Sequence, residues 1–157
     1  MSDPFRQKRC IELSTIDHIE TQIDANWDGV TVVMSFANAY KETGPTVSIE
    51  LSDTERNSLE VGTTQQLKFF QVNIDIFGVT KGEGFIKDMS DFLVDDVLKD
   101  GWVYYDYSDG SGNTLNKVAN GRIQVSDWIT DARVRSGESS SKHDKYRHSI
   151  VILVRKK

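Results

Sequence analysis

The sequence is poor in the residues that make covalent staples and metal centres. Its 157 residues include one cysteine, three histidines and two prolines. A single cysteine, Cys10, excludes a disulfide framework within the chain and any cysteine-rich zinc site. Long apolar runs are missing as well. The longest, Ile150-Val151-Ile152-Leu153-Val154, falls far short of the roughly 20 residues that a membrane-spanning helix needs. The amino terminus, MSDPFRQKRC, lacks the apolar stretch of a secretory signal, so synthesis and residence in a cytoplasm are expected. There is no excess of positive charge. A formal net charge of −5 argues against a general nucleic-acid binder, which needs a broad basic footprint. What remains is 38% hydrophobic and 27% charged, the composition of an ordinary globular chain, and it predicts one domain over residues 1–157.

The charge is unevenly placed. Residues 1–132 hold 11 Lys and Arg against 22 Asp and Glu, while residues 133–157 hold 8 against 2. An acidic body therefore carries a basic end. Such a split can guide one copy onto another in a fixed orientation, with association that weakens in salt. The plainer reading is an uneven but solvated surface.

Leu13, Ile16, Ile19 and Ile23 recur at helical spacing behind Asp3-Pro4, which predicts an amphipathic helix over residues 4–25. Val30, Val32, Met34 and Phe36 then alternate with smaller or polar residues, as a strand does. Gly44-Pro45 marks a turn, and Val47, Ile49 and Leu51 mark a second strand. The polar stretch Ser52 to Thr64 reads as a loop with a turn at 53–57. Phe70, Val72, Ile74 and Ile76 predict a third strand. A second helical stripe runs from Phe85 to Leu98, with Asp88, Asp91, Asp95 and Asp96 outside and Gly101 as its stop. Strand patterning returns at Trp102 to Tyr107, at 122–125 and at 128–135, separated by a loop or long hairpin tip at 108–117. A second polar loop, 136–145, precedes a final strand in which Ile150, Ile152 and Val154 face one way and Val151 and Leu153 the other, so cover on both faces is expected. The links between strands are mostly short. The fold class is therefore α+β: a single domain, with a largely antiparallel sheet and two main helices packed against it.

No arrangement of residues announces a reaction. His143, Asp144 and His148 could ligate a metal, but their spacing across a loop and a strand is not that of a helical ligand pair, and they read as surface residues. His18, among acidic neighbours, reads as a solvated helix position. Asp95 and Asp96 diverge by about 100° on an α-helix and would not converge on one ion. Asp106, Asp109 and Asp127 read as solvated acidic surface. Gly82-Glu83-Gly84 and Gly110-Ser111-Gly112 lack the Lys-Ser/Thr of a phosphate loop and read as turns. Cys10 has no His nearby to activate it and reads as a half-buried helix cysteine. The run Trp102, Tyr104, Tyr105 and Tyr107 suits one buried and one partly exposed aromatic row, the latter at a protein–protein interface.

An N-terminal helix feeds VTVVMSFANAY, then PTVSIEL, then the strand LKFFQVNIDIFG and the helix GFIKDMSDFLVDDVLKD. A charged loop and DKYRHSIVILVRKK close the series, with Tyr146-Arg147 at the entry to the last strand. In this order the segments resemble the tail terminator (tail completion) proteins of long-tailed bacteriophages. The resemblance covers nearly the whole chain in element order. It implies a structural virion protein of the tail or neck, assembled in the host cytoplasm, with no enzymatic activity, no cofactor and no membrane association. It implies a homo-oligomeric, six-membered ring between the major tail tube protein and the head–tail connector or neck protein. Genome DNA would pass through the lumen without sequence-specific binding, and an acidic wall bearing Asp95, Asp96 or Asp109 would let it slide. Loops rather than core are expected to make the contacts: Asp109, Ser111 and Asn113 in one, Lys142, Asp144 and Arg147 in the other. Two alternatives stand beside this reading. The nearer is another ring-forming neck or head–tail joining protein on the portal side. The more distant is a small metal-dependent hydrolase or nuclease using His143, Asp144 and His148.

Overall fold

In the computed structural model of the chain, which describes residues 5–34, 36–39, 42, 44–58, 66–78, 82–134 and 147–157, the first apolar stripe folds as helix α1, Gln7–Asn26. The expected start at residue 4 is corrected. Phe5 and Arg6 stay non-helical because the Phe5 N–H donates to the Tyr107 carbonyl at 2.8 Å, docking the lead-in onto a strand. Asp3 and Pro4 lie outside the described residues.

The strands are β1 (Thr31–Met34), β2 (Thr46–Ser58), β3 (Gln66–Phe77), β4 (Trp102–Asp109), β5 (Leu115–Val134) and β6 (Arg147–Lys156). A short helix, α2 (Phe36–Ala39), follows β1. Helix α3 (Gly82–Phe92) continues as a π-helical turn over Leu93–Leu98. One six-stranded sheet has the order β1-β2-β3-β6-β5-β4. Every pairing is antiparallel except β1 with β2. The segment from Met34 to Thr46, with α2 inside it, supplies the crossover that parallel neighbours require. The protein is thus a single α+β domain, with the two main helices on one face of a mostly antiparallel sheet.

The core follows from strand register. Ile49, Ile74 and Ile150 form one row across β2, β3 and β6, and Leu51, Val72 and Ile152 form the next. All six are buried, and with Ile11, Ile19, Ile23, Phe85, Ile86, Met89, Leu93 and Leu98 they make one cluster between sheet and helices. Trp27 joins the helices, its ring edge-on to Phe85 and Phe92. The opposite face is covered at the end of the sheet nearest α2. There Thr46, Ser48, Asp75, Phe77 and Ala39 are buried, and Arg147 Nε donates to the Asp75 carboxylate at 3.1 Å. The final strand is therefore not sealed on both faces: Ile150, Ile152 and Val154 are buried, whereas Val151 and Leu153 stay half-buried.

Two loop expectations become strand in large part, and two expected strands become one. β2 runs through the expected turn at 53–57, with a bulge between Leu51 and Asp53. The expected loop at 108–117 is a tight hairpin whose turn spans 110–114: the Gly110 N–H donates to Thr114 O, the Thr114 hydroxyl donates to Ser111 O, and Gly112 takes a φ of +66°. The expected strands at 122–125 and 128–135 fall in one strand, β5, as far as Val134, with Arg135 outside the described residues; its alternation is broken by register shifts at Val125/Asp127 and Trp128/Thr130. β1 ends at Met34, before Phe36, which starts α2. The loop at 136–145 lies outside the described residues.

β4 ends the sheet, and α1 lies along its outer edge. Its backbone groups are satisfied by side chains of that helix instead of by another strand. The Tyr105 N–H donates to Ser14 Oγ at 3.0 Å, the Tyr107 N–H points to Cys10 Sγ at 3.5 Å, and Trp102 Nε1 donates to Thr15 Oγ1 at 3.2 Å. A free edge invites pairing with another chain, and this one is closed. Ser14→Ala leaves the Tyr105 N–H without its acceptor, so it is expected to cost about 1–3 kcal/mol. In urea unfolding this would appear as a lower midpoint at unchanged slope.

Candidate functional site

The register places two hairpin arms at one end of the sheet. The last residue that β6 pairs with β5 is Lys156, opposite Ile123, and its pairing with β3 ends at Val154, opposite Phe70. Beyond that level β3 continues back to Gln66, paired with β2 alone, and β5 continues back to Leu115, paired with β4 alone. Among the described residues, then, the sheet has a notch one strand wide between the β2–β3 arm and the β4–β5 arm, closed at its inner end by the end of β6.

Side chains from four directions line this notch. One cleft, of about 670 Å³, is walled by Phe5, Arg6, Gln7, Tyr104, Asp106, Asn120 and Lys156. A second, of about 340 Å³, shares Arg6 and Gln7 and adds Lys8, Lys68 and Phe70. Lys156 Nζ sits 5.1 Å from the Tyr104 ring centre, and Asn120 donates to the Asp106 carboxylate at 2.7 Å. Tyr104 is only 3% exposed. Burial, with Cys10 and Asp106 adding to it, pushes its phenol above the ordinary tyrosine range, so it remains protonated. Four cations face one carboxylate here. Sequence reasoning missed this group because Arg6 and Lys156 stand at opposite ends of the described chain, and no local pattern joins them.

The expected contact residues divide. Asp109, Ser111 and Asn113 come together, all exposed, at the tip of the β4–β5 arm. Arg147 lies at the other end of the sheet and is held by Asp75. Lys142 and Asp144 lie outside the described residues. The arm itself carries apolar surface not singled out in the sequence. Val118 is 68% exposed and Leu115 45%, while further along β5 Ile129 is 48% and Trp128 40% exposed. Lys117, near the tip, ties the arm to α1: it lies 3.1 Å from the Asp17 carboxylate and over the Tyr105 ring.

The other candidates are placed as follows. His18 is not solvated: its ring stacks on Trp102 at 5.7 Å and 7°. Its Nε2 lies 2.9 Å from the Val97 carbonyl, which can only accept, so that nitrogen carries the proton. Cys10 is fully buried, not half-buried. His148 Nε2 meets Asp131 on β5 at 2.5 Å, and His143 and Asp144 lie outside the described residues. Among the described residues no three His, Cys, Asp or Glu side chains gather as a metal site needs. Of the aromatic run, Trp102, Tyr104 and Tyr107 are all buried, because a register shift between Val103 and Tyr105 changes the face on which later residues fall. Burial, with Asp17 adding to it, raises Tyr107 to about 12.

The chain matches no protein-family model, and no curated protein matches it at a significant level.

Proposed function

We propose that this chain is a structural virion protein of the tail-terminator type, which closes into a ring on the end of a phage tail tube and joins it to the head–tail connector. The observation that carries the reading is the pair of arms at one end of the sheet, with Leu115 and Val118 exposed on the stretch of β5 before Ile123, where every residue from 115 to 121 is exposed. Solitary exposed apolar residues are common, but a projecting hairpin that bears them is suited to contact with another protein. The element order supports the same reading. Asp109, Ser111 and Asn113 at the arm tip are the contacts proposed toward the tube.

Light scattering on the purified protein, alone and with tail tubes, tests this. The expected result is a closed ring near six copies, or a monomer that becomes one on the tubes. A monomer indifferent to tubes overturns the reading, and a ring that binds connector rings but not tubes moves it to the portal side.

A further inference from the structure

Two charged patches in this chain oppose the helices that carry them. Arg6, Lys8 and Arg9 crowd the N-terminal end of α1, which has no acidic residue in its first turn. The peptide dipoles leave partial positive charge there, so each cation is placed against the dipole. The reverse holds on α3. Asp95 and Asp96 lie in its last turns, where the dipole is negative, with Lys99 at the C-cap as the cation at that end. Neither patch is neutralised internally: among the described residues, Arg6, Lys8, Lys68 and Lys156 form no ion pair, nor do Asp88, Asp91, Asp95 and Asp96.

The acidic patch is also a row. Asp88 and Asp91 are three apart on one helical face. Asp95 follows Asp91 at the i+4 spacing of the same face, with Asp96 next to it in sequence. All four are exposed; Lys87 and Lys99, also exposed, are the cations on the same helix. The basic patch is concave and the acidic one convex. The cations line the notch between the arms, where strand edges on β3 and β5 lack a partner beyond β6.

The geometry points to a head-to-tail contact between copies of this chain, in which the acidic row of α3 on one copy docks into the basic notch of the next. This rests on the ring reading above and assigns its subunit interface. Each patch meets there a surface of the opposite charge. A second copy suits the notch better than nucleic acid does: Asp106 stands in the notch, and the body around it is acidic, with a net charge of −5 for the chain. Because the two patches are different surfaces, the contact is heterologous and closes into a ring when its rotation allows.

Charge reversal tests this without damaging the fold. Arg6→Glu with Lys8→Glu, and separately Asp91→Lys with Asp95→Lys, change exposed residues in the direction each helix dipole favours, so thermal melts should be no lower than wild type. Each variant alone is expected to associate at least about a hundredfold more weakly than wild type, because like charges then face each other. A one-to-one mixture should assemble again, since each variant's notch then meets an opposite row. Light scattering reads all three, with tail tubes present if wild type needs them. If wild type forms rings and both variants do so equally well, the interface is elsewhere and only this inference falls. If the mixture stops at two copies, the contact is isologous and the head-to-tail geometry is overturned. If wild type never assembles, with or without tubes, the ring reading fails as well. A notch variant that assembles normally but loses retention of duplex DNA would make the notch a nucleic-acid site instead.

Discussion

Replacing Trp102 by alanine is expected to lower stability by about 3–5 kcal/mol, the range for deleting a buried aromatic. For a chain of this size that corresponds to a fall of roughly 6–20 °C in melting temperature. Trp102 is 1% exposed, and it joins three elements at once. It opens β4, its indole N–H donates to Thr15 of α1, and its ring stacks on His18, which in turn holds the carbonyl of Val97 at the end of α3. Loss of the ring opens a cavity, leaves the Thr15 hydroxyl short of a partner and frees His18. Trp102→Phe separates these effects. It keeps most of the packing and loses the indole bond, so it should cost well under half as much. If the alanine variant melted within a degree or two of wild type, the joint would not be placed as described.

Gly101→Ala is expected to cost more than about 3 kcal/mol. Gly101 has a φ of +76°, where a β-carbon alone costs about 1–2 kcal/mol. Space is the larger problem. A β-carbon there would lie 2.4 Å from the carbonyl oxygen of Ile123, a backbone atom that no side-chain rotation can move away. Relief requires β4 to part from β5 at the Trp102–Ile123 pair, where the arm leaves the sheet. Gly29→Ala is the control. Its φ is +71°, but nothing lies within 4 Å of the added carbon, so only the backbone cost of about 1–2 kcal/mol applies. Urea unfolding of the two variants separates crowding from conformation, and equal losses would refute the close approach at Gly101.

The buried half of the fold was legible because burial imposes a period. Val47, Ile49 and Leu51, and Phe70 through Ile76, alternate since one side of each strand meets the helices. The same rule hid the arms. Residues 55–58 and 115–121 run past the end of β6, and 115–121 are all exposed, so nothing selects apolar residues at every second position there and the strand looks like a loop. Bulges hid the unity of β5: each inserts a residue, and alternation restarts on the other face. His18 was misread for a related reason, as acidic neighbours in sequence say nothing about an indole 84 positions away. The notch was beyond any local reading. It is a difference in length between β6 and its two neighbours, a property of register that no window of residues contains.

The order of the strands in space is not the order of their synthesis. β6, the last of the six in sequence, lies between β3 and β5 and is the sole bridge between β1–β2–β3 and β5–β4. Until residues 147–156 leave the ribosome, the edges of β3 and β5 that pair with β6 have no strand to pair with, and the two halves cannot join in one sheet. Helix α1 waits as well: its partners on β4 emerge some 5–20 s after it at ordinary translation rates. In the cell, the vulnerable species is the chain still lacking residues 147–156, and chaperones would meet it with both inner edges unpaired.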